Sequence, residues 1–311
     1  MVTLEQLRVF VAVAKHLHVT NAAYHLNMTQ SAASASIAAL ENRCAVRLFN
    51  RIGRRIELTA EGVRFLVEAR AVLQRVSEAK LVLDELSDFR RGTVTIHAGQ
   101  TIANYWLPAV LHRFRKIYPD IKIEVRIGNT AQVVSAILDG EAHIGMIAGD
   151  VDNASIEKWP VDTDRLLLVV GAQHSAARHA NFTVERFMTT PWIVREPGSS
   201  MRRYFESLLT GFGVDPTKVE IALELPSNES VRQAVVDNAG ASIISNLLVE
   251  NELRNGSLRQ LNLSLPQRQF LVLQHRERHR SRAVDALTDI IKAINLAVPG
   301  KGSKIANSAA A

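Results

Sequence analysis

Gln30, Ser31 and Ser34 share the first turns of one helical stretch, and Arg43, Arg47, Arg51, Arg54 and Arg55 crowd into thirteen residues. A glutamine so placed suits a bidentate contact with an adenine edge, and the serine hydroxyls can reach bases or phosphates. Arginines interrupted by Gly53 suit phosphate neutralisation, the salt-sensitive and sequence-independent part of nucleic-acid affinity. Residues 1–59 hold seven Lys or Arg against three Glu, so +4 of the chain's formal +6 is concentrated there. The competing reading of both groups is an ordinary solvated surface.

Such groups need a scaffold. Leu4, Leu7, Val11 and Ala14 recur at helical spacing, with Phe10 widening the stripe, which predicts a helix over 3–17. Thr20 is placed to cap a second helix over 21–26, and Thr29 a third over 30–43. Asn27 and Met28 alone separate them, which sets the two at a steep angle. Ala22, Ala23 and Leu26 are expected to pack on Ala33, Ile37 and Leu40, while Ala32, Ala35, Ala38 and Ala39 keep the third helix slim. A slim helix fits a major groove about 12 Å wide. Ile56 and Leu58 then alternate as a short strand does. The whole reads as a winged helix-turn-helix whose DNA contacts are Thr29, Gln30, Ser31, Ser34, Arg51, Arg54 and Arg55.

Residues 60–90 continue as one long helix capped by Thr59. Its apolar seam runs Phe65, Ala69, Val72, Val76, Ala79, Leu83, Leu86 at alternating steps of four and three. A seam kept for three heptads predicts a helix–helix contact between two copies; packing on its own domain is the alternative. Beyond Arg90-Arg91-Gly92, strand patterns (94–98, 121–127, 143–148, 166–170, 192–195, 219–225, 241–245, 270–274) alternate with helical ones (103–117, 131–139 and a run ending at Asp237). This predicts parallel sheets flanked by helices, and about 205 residues suit two lobes.

The chain resembles the LysR-type transcriptional regulators over residues 1 to about 297. The resemblance is carried by Leu4-Glu5-Gln6-Leu7-Arg8-Val9-Phe10, Thr29-Gln30-Ser31-Ala32-Ala33-Ser34, Leu40-Glu41, Leu48-Phe49-Asn50-Arg51 and Leu58-Thr59-Ala60-Glu61-Gly62. Many relatives have a basic residue where this chain has Ala35, which shifts the expected base reading toward Gln30 and DNA shape. The resemblance implies an all-α N-terminal part with a winged helix-turn-helix (1–59), a linker helix pairing antiparallel with a second subunit (60–91), and a two-lobed α/β effector domain similar to periplasmic binding proteins (92–297). Lobe I would take 92–163 and 266–297, and lobe II 164–265, with a ligand cleft between them at the carboxyl ends of strands.

Within that expectation, Gln100, Thr101 and Ile102 open one helix and Ser199, Ser200 and Met201 another; two helix N-termini facing one cleft make an anion site. Both are otherwise plain helix caps. Thr130 (after Asn129) and Ala148 (before Gly149) join them as candidates, with Asn228 and Glu229 behind. Arg195-Glu196-Pro197-Gly198-Ser199-Ser200 is similar to a segment in regulators of sulfur assimilation and of carbon fixation, implying a small oxyanion or a phosphorylated metabolite as effector.

Other classes are disfavoured. Nucleophile-elbow and phosphate-loop signatures are absent, so an α/β enzyme is the weaker rival and no catalytic residue is assigned. A ligand-independent DNA-binding or DNA-bridging protein stays as the other alternative. Cys44 is the only cysteine, which excludes an intrachain disulfide and any thiolate cluster; it is expected to pack where the third helix ends. The ten histidines show no metal spacing, and no cofactor is implied. No run of eighteen apolar residues occurs and no apolar signal core opens the chain, so a cytoplasmic protein is expected. Its expected partners are double-stranded promoter DNA, a small effector, further copies of itself and RNA polymerase. Residues 298–311 are expected to be a disordered tail.

Overall fold

The computed structural model describes residues 2–52, 55–87, 92–178 and 182–296. Arg54 and the expected tail at 298–311 therefore lie outside the described residues. The chain divides into two compact units, Met1–Ser87 and Asp88–Ala311.

The first unit runs α1 (Leu4–His16), α2 (Val19–His25), α3 (Gln30–Cys44), β1 (Phe49–Ile52), β2 (Arg55–Leu58) and α4 (Ala60–Ser87). Thr3 and Gln6 close a capping box on α1, and Thr29 Oγ1 accepts the Ala32 amide at 3.2 Å to start α3. The expected Thr20 cap is corrected: α2 starts earlier, and His18 Nδ1 accepts the Asn21 amide at 3.4 Å. A histidine before a helix carries no strong capping signal, whereas threonine does, so α2 begins two residues before the position its threonine suggests. Ala22, Ala23, Ala33, Ile37 and Leu40 are all buried in one core with Phe10, whose ring lies 5.3 Å from Phe49 and 5.0 Å from Phe65. Glu41 Oε1 ties α3 to the hairpin by accepting the amides of Leu48 (2.7 Å) and Phe49 (3.1 Å). Cys44 is exposed rather than packed, as are Ala45 and Val46 after it, because the chain turns through a left-handed Ala45 and leaves the core at the end of α3.

The α4 seam divides. Phe65 and Ala69 belong to the core of their own unit, whereas Val72 and Leu83 stay exposed, as do Val63 and Val67 beside them.

The second unit runs β3 (Gly92–Gly99), a π-helical turn (Ile102–Trp106), α5 (Leu107–Ile117), β4 (Ile121–Gly128), α6 (Thr130–Leu138), β5 (Ile144–Ala148), β6 (Ile156–Asp164), β7 (Leu166–Gly171), β8 (Trp192–Arg195), α7 (Ser200–Gly211), β9 (Ile221–Leu225), α8 (Asn228–Val236), β10 (Ser242–Ser245), α9 (Asn246–Asn255), β11 (Leu258–Leu261), β12 (Arg268–His275) and α10 (Arg282–Leu296). One sheet is ordered β4-β3-β5-β12-β6; a second, β10-β7-β11, meets the pair β8-β9 through the Trp192–Ala241 bridge. The expectation of parallel sheets holds only for β3 with β4 and β5, and for β8 with β9. β12 runs antiparallel between β5 and β6, and β7 antiparallel to β10 and β11. Alternating helix and strand signals cannot reveal a strand that returns without a helix, as β6 does after β5, and they miss the four-residue β11 behind α9.

His143, just before β5, illustrates how the first sheet is fastened. Its Nδ1 accepts the Thr95 amide of β3 at 3.0 Å, a role open only to neutral imidazole. Burial, with help from Arg278, pulls its pKa below the ordinary histidine value of about 6.5. The unfolded chain therefore takes up this proton first as pH falls. Stability from His143 is complete above about pH 6.5 and is lost below it until the folded-state value is reached. The urea midpoint is expected to drop between pH 7.5 and pH 5.5, and to drop less in His143→Gln; equal drops would rule the histidine out.

Candidate functional site

In the first unit, α3 presents Gln30, Ser31, Ala32, Ala35, Ala38 and Ala39 to solvent, with Ser34 half-buried. Gln30 Nε2 donates to Ser34 Oγ at 3.1 Å, and Thr29 Oγ1 lies 3.1 Å from Ser31 Oγ. Four of the proposed contact residues thus share one polar corner at the start of a helix whose open face is lined by methyl groups. Arg51 and Arg55 stand on the β1–β2 hairpin, in the register Arg51↔Ile56 and Ile52↔Arg55.

In the second unit, Gln100, Thr101, Ile102, Thr130, Ala148, Ser199, Ser200 and Met201 all line one cavity of about 30 Å³, together with Gly99, Gly128, Asn129, Arg195 and Asn228. That is room for a water molecule or two, at roughly 10–15 Å³ each. Parallel pairing explains the convergence. β3 and β4 end side by side and each feeds a helix; β8 and β9 do the same in the second sheet. Four helix N-termini consequently meet at the cavity: the stretch starting at Gln100, α6 capped by Asn129, α7 capped by Ser199 and α8 capped by Ser227. Each carries about half a positive charge from its unpaired amides. Gly198 makes the approach possible. Its φ of +87° is left-handed, and a Cβ there would come within 3.3 Å of Asn129 Nδ2 across the cavity.

Behind this wall lies polar wiring that no local sequence pattern signals. Arg195, buried, donates through Nε and Nη2 to Glu196 (2.7 and 2.9 Å) and through Nη1 to Gln100 Oε1 (3.3 Å) and to Asn228 Oδ1. Asn228 returns its amide to Gln100 Oε1 at 2.8 Å and its Nδ2 to Thr101 Oγ1 at 3.0 Å. Deeper still, Arg268 meets Asp164 at 2.7 Å and donates Nη1 to Ser200 Oγ at 3.0 Å. Burial pulls the Arg268 pKa below its ordinary value, with the Asp164 carboxylate opposing that shift. Its partner lies 104 residues away in sequence, and no local pattern announces such a pair. At the rim, the Tyr105 hydroxyl donates to Glu229 Oε1 at 2.6 Å; burial and that bond push Tyr105 up to about 12, while the same bond, with Arg232, lowers Glu229 against the opposing effect of burial.

Comparison with known proteins decides what kind of chain this is. Residues 4–63 match the family described as bacterial regulatory helix-turn-helix protein, lysR family, and residues 87–294 match the LysR substrate binding domain. The chain belongs to the LysR family. It is a DNA-binding transcriptional regulator of that family with a ligand-binding domain, and the enzyme alternative is set aside. Among LysR relatives, the uncharacterized HTH-type transcriptional regulator YeiE of Escherichia coli (strain K12) is 34% identical over 299 residues, covering 95% of this chain and 99% of that protein. Full-length CbnR, solved in complex with its target DNA, superposes with a TM-score of 0.62 at 19% identity, covering 94% of this chain and 99% of that one. The regulatory domain of CcmR from Synechocystis PCC6803, in complex with 2-PG, gives 0.61 at 23% identity, covering 68% and 100%. These two likenesses establish the LysR fold across the chain. Among the described residues no helix is long and apolar enough to cross a membrane, and no group of three or more His, Cys, Asp or Glu could hold a metal.

Proposed function

We propose that this regulator docks α3 and the β1–β2 wing on promoter DNA and is controlled by a small anion held where the four helix N-termini meet. The convergence of those termini on a cavity lined by no carboxylate carries the reading. In this account residues 1–59 are the DNA-binding domain and 60–91 the linker. The two sheets of 92–297 are lobes I (92–163 and 266–297) and II (164–265). Thr29, Gln30, Ser31 and Ser34 read or frame bases, and Arg51, Arg54 and Arg55 hold phosphates. Exposed Val72 and Leu83 on α4 support a homodimer or homotetramer that places two heads on one operator. A cytoplasmic location, and contact with RNA polymerase at the promoter, follow from that role. CbnR's complex with DNA and CcmR's with 2-PG support DNA and a small effector as partners. An effector can act only by its differential affinity for two arrangements of the subunits.

A footprint on the DNA upstream of the protein's own gene and its neighbour tests the DNA half. Protection of a defined site, altered by one of sulfite, sulfate, phosphate or simple carboxylates, is the expected outcome. Uniform, salt-sensitive coverage without a preferred site would favour the ligand-independent alternative. Gln30→Ala is expected to lower the operator-over-random preference by about tenfold or more. Arg54→Ala is expected to weaken all DNA alike and reduce the salt slope by about one. Exchanged phenotypes would overturn the assignment of roles.

A further inference from the structure

We propose that Glu196, which does not line the cleft, decides how much more tightly the cleft holds a doubly charged anion than a singly charged one; the proposal rests on the anion reading above. Arg195 is the only charged residue among those lining the cavity. Its side chain is 7% exposed, and the Glu196 carboxylate accepts two bonds from it, Nε to Oε2 at 2.7 Å and Nη2 to Oε1 at 2.9 Å. The Glu196 side chain is 26% exposed, so this carboxylate reaches solvent where the guanidinium hardly does. Arg268 is cancelled in the same way by Asp164, whose side chain is fully buried. Two arginines and two carboxylates sum to zero. An anion entering the cavity therefore meets helix dipoles and N–H groups but no net charge.

The geometry separates the charge of Glu196 from the position of Arg195. Nη1 of Arg195 is held independently by Gln100 Oε1 at 3.3 Å and by Asn228 Oδ1, both on residues that line the cavity. Asn228 is fixed in turn by its amide bond to Gln100 Oε1 and by Nδ2 on Thr101 Oγ1. When a neutral residue replaces Glu196, the guanidinium keeps these holds and loses only its counter-charge. A buried cation without a partner is costly, and an anion in the cavity then supplies what is missing. Coulomb energy is proportional to the charge of the incoming ion, so a dianion gains twice the free energy of a monoanion in the same place. In affinity, the dianion's gain is the square of the monoanion's. Altered packing or access acts on both ions alike and leaves no such split.

Calorimetric titration of the full chain and of its Glu196→Gln variant with sulfate and methanesulfonate, tetrahedral anions of two charges and of one, tests the proposal. The expected gain on substitution is about tenfold for methanesulfonate and about a hundredfold for sulfate. Glu196→Ala removes the same charge with a different shape and is expected to give the same split. Glu250→Gln takes one carboxylate from an exposed pair with Arg254. Solvent and salt screen that pair, so neither affinity is expected to move by more than about twofold. Equal gains for the two anions, or no gain, would overturn the role of Glu196 and leave the anion reading standing. Binding of neither anion, by the parent chain or by Glu196→Gln, would remove both.

Discussion

Asp164→Ala is expected to destabilise the second unit by about 3–5 kcal/mol, the usual consequence of leaving one partner of a buried ion pair alone. The carboxylate is fully buried and the guanidinium of Arg268 nearly so, 2.7 Å apart, with Ser245 donating to the other carboxylate oxygen at 2.5 Å. Losing the carboxylate strands a charge that solvent cannot reach, and it also loosens Ser200 through Arg268 Nη1. Replacing both partners by apolar residues, Asp164→Leu with Arg268→Met, removes the stranded charge and is expected to recover most of the loss. Urea denaturation of the three proteins reads this out. A single substitution costing less than about 1 kcal/mol would mean that water enters where the structure excludes it.

Gly62→Ala should damage the first unit almost as severely. A Cβ on Gly62 would stand 2.1 Å from the Leu48 carbonyl oxygen and 3.0 Å from a Leu58 methyl, so backbone rather than a movable side chain blocks it. Thr59 fixes the geometry from both sides: its hydroxyl donates to the Arg47 carbonyl at 2.8 Å and accepts the Gly62 amide at 2.9 Å. The first turn of α4 is thus sewn to the entry of the wing. Overpacking against backbone costs about 3 kcal/mol or more, a large share of the stability of a unit this small. Hydrogen exchange at amides of α1 and α3 is expected to accelerate by about a hundredfold or more on that cost. Wild-type protection in Gly62→Ala would show that the wing entry shifts freely.

Local chemistry was legible in the sequence and distant chemistry was not. Thr29, the alanine-rich face behind Gln30, and the helix-opening positions at Gln100, Asn129 and Ser199 each announce themselves within four residues, because caps and amphipathic spacing are short-range. His18 gives no such signal because its capping acts through a ring nitrogen rather than a hydroxyl. Asn228 and Arg268 are not legible in this way, because the partners that give them meaning lie on distant elements. The antiparallel returns of β6, β11 and β12 escaped for the same reason: register is a property of pairs, and a single strand's side-chain pattern leaves the direction of its neighbour open.

The π-helical turn at Ile102–Trp106 gives the mouth of the cleft a property its other walls lack. One surplus residue is stored there, between a helix seated on the core through Leu107, Val110 and Phe114 and the polar segment Gln100–Thr101. Excising a single residue from that turn would restore ordinary winding and swing the Gln100–Thr101 corner by about 100° relative to α5, carrying Ile102 out of the core in which it is fully buried. The length of that turn therefore ties the polar corner of the cleft to the hydrophobic face behind it, so that gaining or losing one residue there changes both together.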